Sequence, residues 1–130
     1  RDRPEYVQHV IFLGGANDIL QGRRIEDISR DYKRVLEWCE EKQYSLCVVL
    51  PFISTEQALN RQLLNLRQEA EHICGGKAFL LDLQPAIGMD AGARFKAYVD
   101  GIHPKSQTYE AMGSYAAPLI WKWLKNEKEA

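Results

Sequence analysis

The sequence predicts an α/β fold, a three-layer α/β/α arrangement in which helices cover both faces of a parallel sheet. Three short segments are continuously apolar, a pattern typical of strands that are buried on both faces. Segments with helical periodicity separate them, as in right-handed β-α-β crossovers. With 130 residues, 45% of them hydrophobic, the chain has enough apolar material for one core. We therefore expect residues 1–130 to form a single domain.

The first half of the chain contains two of the predicted strands. Residues 10–13 form the first apolar run, which a Gly-Gly pair closes. Between residues 25 and 39, apolar side chains recur at steps of three and four, the period of one helix face. Residues 46–50 form the second run, and Pro51 ends it. The predicted order up to this point is strand, helix, strand.

The second half begins with a helix and a third strand. Ser54 lies three residues before a glutamine, the spacing of a capping box, so we expect a helix to begin there. The glycine pair at residues 75–76 is expected to end this helix, because glycine accepts left-handed backbone geometry. Residues 78–83 form the third apolar run. Residues 84–99 show no clear period, which predicts a loop.

The chain ends in one more predicted helix. Its apolar residues recur on one face from Tyr109 to Trp123, and Pro118 is expected to cause a kink or a break. The complete order is therefore β-α-β-α-β-loop-α. Ligands of such sheets bind beyond the carboxyl ends of the strands. Two segments, 14–18 and 82–103, lie at such ends.

Charge and cysteine content exclude several classes of function. The net charge is −1, from 17 basic and 18 acidic side chains, so we expect no nucleic acid or anionic membrane as partner. No apolar run is long enough to span a bilayer. Cys39, Cys47 and Cys74 show neither a disulfide framework nor the spacing of a zinc site. As small buried hydrophobes they favour a reducing compartment such as the cytoplasm, although no signal fixes the localisation.

The first segment that suggests chemistry is Gly14–Asp18, directly after the first strand. Its glycines permit a sharp turn and a close approach of the backbone to a ligand. Such a turn would raise the Asn17 side chain above the sheet, where its amide can donate to an oxyanion formed in acyl transfer. Alternatively, Asn17 or Asp18 only caps the turn or the following helix.

The second segment is Asp100–Pro104, just before the last helix. A catalytic histidine needs an acceptor on one ring nitrogen so that the other nitrogen can act as a base. Asp100 lies three residues before His103, within reach of that nitrogen. Pro104 restrains the backbone where the helix starts. The alternative is a surface aspartate and a histidine that have no joint role.

Together these segments resemble two sequence blocks of the SGNH (GDSL-type) hydrolases. Residues 15–18, Gly-Ala-Asn-Asp, resemble the GxND block, and residues 100–104, Asp-Gly-Ile-His-Pro, resemble the DxxHP block. The layout of strands and helices between them is also similar. The resemblance extends over nearly the whole chain, from about Val7 to about Leu124.

The resemblance implies a fold and a set of roles. It implies a flavodoxin-like parallel sheet of order 2-1-3-4-5, of which this chain would supply strands 3-4-5 only. It implies that His103 is the general base, that Asp100 orients it, and that Asn17 is an oxyanion donor. Gly15 would shape the turn that carries Asn17. The resemblance implies no metal and no organic cofactor.

The family's nucleophile is missing from this sequence. It belongs to a GDS block after the first strand of the family's sheet, and neither that block nor the glycine block of the second strand occurs here. None of the serines has the context of a nucleophile. We therefore expect the chain to be the C-terminal part of the domain, with two strands and the serine upstream. The five serines are Ser29, Ser45, Ser54, Ser106 and Ser114.

The expected function is hydrolysis of acyl or acetyl esters by the completed domain, whereas this chain alone should be a very poor esterase. The Val10–Leu13 strand would have an unpaired apolar edge, so we expect a missing N-terminal segment or a second chain, such as another copy, to pair with it. The alternative function is an inactive SGNH-fold domain that binds or scaffolds.

The sequence leaves the substrate open. Lipid esters, thioesters and sugar acetates all occur as substrates in the family, and acyl transfer is not separated from hydrolysis. Several side chains in residues 84–99 either line an acyl pocket or pack on the sheet. They are Ala86, Ile87, Met89, Phe95 and Tyr98.

Overall fold

The structure, a computed structural model, describes residues 8–14, 16–100 and 103–129. Its centre is a parallel sheet of order β1-β2-β3. The strands are β1 (His9–Leu13), β2 (Ser45–Val49) and β3 (Phe79–Leu81). The three apolar runs thus form the strands that the sequence predicts. Because the strands are parallel, their carboxyl ends meet at one edge of the sheet.

Helices follow each strand. The chain contains α1 (Ala16–Leu20), α2 (Ile25–Lys42), α3 (Gln57–Cys74), α4 (Gln84–Ile87), α5 (Ala91–Ala97) and α6 (Ser106–Glu129). The element order confirms the predicted α/β fold. No helix among the described residues combines the length and apolarity needed to cross a membrane.

One face of the sheet is covered by α2 and α3. Their apolar residues recur at helical spacing and pack on the side chains of β2 that point to this face, with Val10 and Phe12 of β1 beside them. The ring of Phe12 meets that of Tyr32 edge to face at 5.3 Å. The buried residues of this layer are Ile28, Tyr32, Leu36, Cys39, Leu46, Val48, Leu50, Leu66, Ala70 and Cys74.

The opposite face is covered by α4 and α6, but only in part. Trp123 of α6 is buried against Phe79 and also contacts His9, with ring centroids 5.9 and 5.1 Å away. On the same face of β1, Ile11 is 52% exposed and Leu13 is 64% exposed. The expectation that helices cover both faces therefore holds for β2 and is wrong for β1 within the described residues.

The predicted capping box at Ser54 is wrong. The α3 helix begins at Gln57, and its N-cap residue Glu56 makes no side-chain capping bond. Ser54 is buried instead, and its hydroxyl accepts a hydrogen bond from the backbone N–H of Glu56. The backbone N–H of Ser54 donates to Asn60 Oδ1 at 2.8 Å. Ser54 therefore closes the loop before the helix rather than capping the helix.

The segment predicted as a loop, residues 84–99, contains two short helices. The α4 helix has a proline in its first turn, and the carboxylate of Asp90 caps α5 by accepting from Ala93 N at 2.8 Å. Gly88 joins them with φ 146°, where a Cβ would lie 2.9 Å from Ala93 Cβ. Helices of four and seven residues are too short to show a period in sequence.

Two expectations about helix ends had opposite outcomes. The α3 helix ends at Cys74, and Gly76 adopts the left-handed region with φ 77°, as predicted for the glycine pair. Of the kink or break expected at Pro118, the break is wrong, because α6 continues through this residue. Both Pro118 and Ser114, whose carbonyl loses its helical bond, are exposed, so water can hydrate that carbonyl.

Candidate active site

Asp100 and His103 form a hydrogen-bonded pair. His103 Nδ1 lies 2.8 Å from Asp100 Oδ2, and the backbone N–H of His103 donates to Asp100 Oδ1 at 2.7 Å. Both side chains are exposed, so solvent and ligands can reach them. A carboxylate at Nδ1 favours the tautomer in which Nε2 is free to accept a proton. The pair therefore has the geometry of a general base and its orienting partner.

Backbone hydrogen bonds close the loop that carries this pair. Val99 N donates to His103 O at 2.8 Å, and Lys105 N donates to Ala97 O at 2.9 Å. The Thr108 hydroxyl, in the first turn of α6, also donates to Ala97 O, at 2.7 Å. The loop thus joins α5 to α6 with both ends fixed. Gly101 and Ile102, within it, lie outside the described residues.

The segment predicted to carry the oxyanion donor follows β1. The α1 helix begins at Ala16, so the backbone of Asn17 lies in its first turn, near the carboxyl edge of the sheet. Gly15 and the side chain of Asn17 lie outside the part of the chain that the structure describes. Their roles in the turn and at an oxyanion stay predictions.

Arg23 connects this segment to the α2 helix. One of its guanidinium nitrogens lies 2.6 Å from Asp31 Oδ2 and 3.2 Å from Asp18 Oδ1. The hydrogen bonds to Asp31 and then to Asp18 raise the pKa of Arg23. The structure places Arg23 between Asp18 of α1 and Asp31 of α2, in an exposed ion-pair network.

A cleft of about 380 Å³ lies beside the Asp100–His103 pair. One wall is the loop between β2 and α3, and the other is the segment from α5 to the start of α6. Of the five side chains predicted to line an acyl pocket or pack on the sheet, Phe95 and Tyr98 line this cleft, and Ile87 is buried in the core. The lining residues are Thr55, Glu56, Phe95, Tyr98, Val99, Asp100 and Lys105.

Three side chains hold the loop between β2 and α3 by its backbone. Gln84 Oε1 accepts from Ile53 N at 2.8 Å, and Tyr98 Oη donates to Ile53 O at 3.1 Å. Arg94 Nε donates to Ser54 O at 3.1 Å. Burial raises the pKa of Tyr98 to about 12, so its hydroxyl stays a donor at neutral pH. Sequence reasoning missed Gln84 and Arg94, because neither lies in a recognisable motif.

A larger cavity, of about 620 Å³, lies at the opposite edge of the sheet. Its lining includes Ser45 and Phe79, the first residues of β2 and β3. It is therefore separated from Asp100 by the length of the sheet, and it contains none of the predicted site residues. The smaller cleft, which Asp100 lines, is therefore the candidate substrate-binding site.

No serine in the described chain is positioned as a hydrogen-bond partner of the histidine. Ser29, Ser45 and Ser54 are buried in helix, strand and loop, while Ser106 and Ser114 are exposed on α6. Within the described residues, His103 makes no hydrogen bond to a serine. The same part of the chain contains no group of three or more His, Cys, Asp or Glu side chains that could hold a metal ion.

Residues 1–111 match the GDSL-like Lipase/Acylhydrolase family. Two solved structures are similar to this chain: a proposed lipolytic protein of the G-D-S-L family from Desulfitobacterium hafniense (20% identity, TM-score 0.71) and a GDSL-like lipase from Bacteroides thetaiotaomicron (17% identity, TM-score 0.73). The matches cover 85% and 87% of this chain, which spans 63% and 62% of theirs. No curated protein shows significant sequence similarity to the chain.

Proposed function

Because the chain belongs to the GDSL-like lipase/acylhydrolase family, we propose that it supplies the acid–base half of a serine ester hydrolase site. The observation that carries the proposal is the 2.8 Å contact between His103 Nδ1 and Asp100 Oδ2. This contact provides an oriented base but no nucleophile. The nucleophile is a serine on a segment outside this chain.

The proposed reaction is acyl transfer to water in two steps. In the first, His103 removes the proton of the serine hydroxyl as its oxygen attacks the ester carbonyl. The Asn17 amide stabilises the tetrahedral oxyanion, and the alcohol leaves with the proton from His103. In the second, His103 activates water, which releases the acid and restores the serine. Asp100 keeps the histidine ring in place throughout and stabilises its charged form.

The open side of β1 supports a contribution from another segment. Ile11 and Leu13 expose apolar surface, and β1 forms one edge of the described sheet. An unpaired apolar edge favours association with a further strand. We propose that this edge pairs with an upstream segment of the same polypeptide or with a second chain, and that the serine arrives with it.

The test measures ester hydrolysis by the complete polypeptide, with para-nitrophenyl acetate as substrate. His103→Ala should lower kcat/KM by about 10³-fold or more, because the base is lost. Asn17→Ala should lower kcat by about 10²-fold, the usual effect of removing one oxyanion donor. His72→Ala is the control, since His72 is an exposed histidine on α3 and should change nothing.

Labelling with a fluorophosphonate probe tests the nucleophile separately. The complete polypeptide should be labelled at a serine, and His103→Ala should abolish the labelling. Normal turnover of His103→Ala would remove this residue from the mechanism. Absence of both labelling and hydrolysis in the unmodified polypeptide would instead favour an inactive binding domain.

A further inference from the structure

The cleft beside Asp100 contains an unpartnered aromatic side chain. Phe95 is 76% exposed, and its ring makes no contact with another aromatic ring in the described chain. Phe95 lines the cleft together with Tyr98 and Val99. A large exposed ring on a cleft wall offers a flat apolar surface to a ligand.

Two opposite charges also line this cleft. Across residues 8–14, 16–100 and 103–129, the carboxylate of Glu56 and the ammonium of Lys105 make no hydrogen bond or ion pair. Some charged groups elsewhere in the fold are paired; for example, Arg67 binds Asp82 through two hydrogen bonds. Glu56 and Lys105 are therefore available as an acceptor and a donor for a ligand.

An exposed aromatic ring beside two unpaired charges suits some classes of ligand better than others. A long acyl chain in the cleft would remove water from Glu56 and Lys105 without replacing their hydrogen bonds, which is unfavourable. A sugar ring has an apolar face that can cover Phe95, and hydroxyl groups that can bind the two charges and Thr55. The volume of about 380 Å³ is at the small end of the range for ligand clefts.

We infer that the cleft binds a sugar ring and that the substrate is a carbohydrate ester, an inference that rests on the proposed function. Asp100 both lines the cleft and contacts His103, so a sugar bound there lies next to the base. Hydrolysis adds one water across the acyl C–O bond and gives a carboxylic acid and a free sugar hydroxyl. The sugar is thus the alcohol part of the ester.

The kinetic test compares two esters in the complete polypeptide. Phe95→Ala should raise KM for a methyl mono-O-acetyl-glucoside, whose other hydroxyl groups are free, about tenfold and leave kcat nearly unchanged, because the apolar surface for the ring is lost. The same substitution should affect para-nitrophenyl acetate, which has no sugar, much less, so that its kcat/KM falls less than that of the glucoside ester. Phe95→Trp should restore KM to within about twofold of the original. Met89→Ala is the matched control, since Met89 is an exposed apolar side chain outside the cleft lining.

A binding test does not depend on activity. Titration with methyl glucoside, followed by NMR, should shift the backbone amides of Val99 and Lys105, and the shifts should disappear in Phe95→Ala. Sugar binding without hydrolysis of any ester would refute the proposed function and support sugar recognition by the cleft. Hydrolysis of para-nitrophenyl acetate, with no amide shifts and no effect of Phe95→Ala on the glucoside ester, would refute this inference alone. A strong preference for para-nitrophenyl octanoate over para-nitrophenyl acetate would also overturn it, because the cleft would then favour a long acyl chain.

Discussion

The two faces of the sheet differ in how completely they are covered. On the face of α2 and α3, the inward side chains of all three strands pack against helices, and Leu66, Ala70 and Cys74 are fully buried. On the face of α6, the helix covers β2 and β3 but leaves Ile11 and Leu13 of β1 exposed. Apolar burial therefore extends over all three strands on one face and over only two strands on the other.

The face of the sheet that helices cover less completely also carries the candidate site. The α4 and α5 helices and the Asp100–His103 loop belong to the segment between β3 and α6, which also forms one wall of the cleft. Segments with few buried apolar contacts open more easily than the core. The difference indicates a stable scaffold on one side of the sheet and a more adaptable binding region on the other. Four pairs of substitutions can break or sharpen this comparison.

The largest effect is expected from Leu66→Ala in the fully covered face. Leu66 is completely buried between α3 and the sheet. Its truncation should lower the free energy of unfolding by about 3 kcal/mol, through lost burial and the cavity left behind. Urea denaturation measures this change. Leu64→Ala, an exposed leucine two residues earlier on the same helix, should cost less than about 0.5 kcal/mol.

Adjacent residues of β1 provide a comparison within one strand. Phe12 packs against the α2 layer and Tyr32, whereas Leu13 points to the open face. Phe12→Ala should lower the free energy of unfolding by about 2 kcal/mol, since Phe12 is only partly buried, and Leu13→Ala should cost less than about 0.5 kcal/mol. Equal losses in urea denaturation would contradict the asymmetry between the faces.

A smaller effect is expected from the ion pair that links α3 to the end of β3. The hydrogen bonds from Arg67, strengthened by the backbone N–H of Gln84, lower the pKa of Asp82 below its ordinary value of 3.8. The stabilisation is therefore fully present above pH 3.8 and is lost as the pH falls towards the lower, folded-state pKa. Its size should be about 1 kcal/mol, because Asp82 is partly exposed.

Urea denaturation of the parent and of Asp82→Asn, from neutral pH to below pH 3.8, measures this stabilisation. The variant should be less stable than the parent at neutral pH, and the difference should shrink in acid. Glu71→Gln is the control, because Glu71 is the more exposed partner of Arg67. A constant difference between parent and Asp82→Asn at all pH values would show that Asp82 does not titrate with folding.

The smallest effect is expected from Ile11→Ser on the open face. Ile11 already contacts solvent, so the free energy of unfolding of this chain should change by less than about 0.5 kcal/mol. Binding of an apolar fluorescent dye should decrease at the same time, because apolar surface is removed. Val10→Ser, one residue away on the covered face, should be clearly destabilising. A large loss of stability in Ile11→Ser would show that this face is covered.

The sequence was most informative where a pattern is long or a motif is compact. The helical period over residues 25–39 and the apolar runs predicted α2 and the strands correctly. The spacing of Asp100 and His103 also predicted their contact, because both lie in one short loop. In such cases the interaction that decides the structure is local in sequence.

Longer-range contacts were not predictable in this way. The bonds that Gln84, Arg94 and Tyr98 make to Ile53 and Ser54 join residues 31, 40 and 45 positions apart. No local pattern selects these partners, since each bond depends on how two loops meet after folding. For the same reason, the sequence suggested Phe95 only as one of several acyl-pocket candidates and did not suggest Glu56 or Lys105 as cleft residues.

The loop at Ile53 and Ser54 is held through its backbone, and this affects how the binding preference of the cleft can change. Its partners bind backbone N–H and C=O groups, which every residue except proline provides in full. Thr55 and Glu56, the cleft residues that follow, can therefore be exchanged without loosening the wall that presents them. New specificities, whether selected in the laboratory or by evolution, are accessible here through single substitutions that leave the scaffold intact.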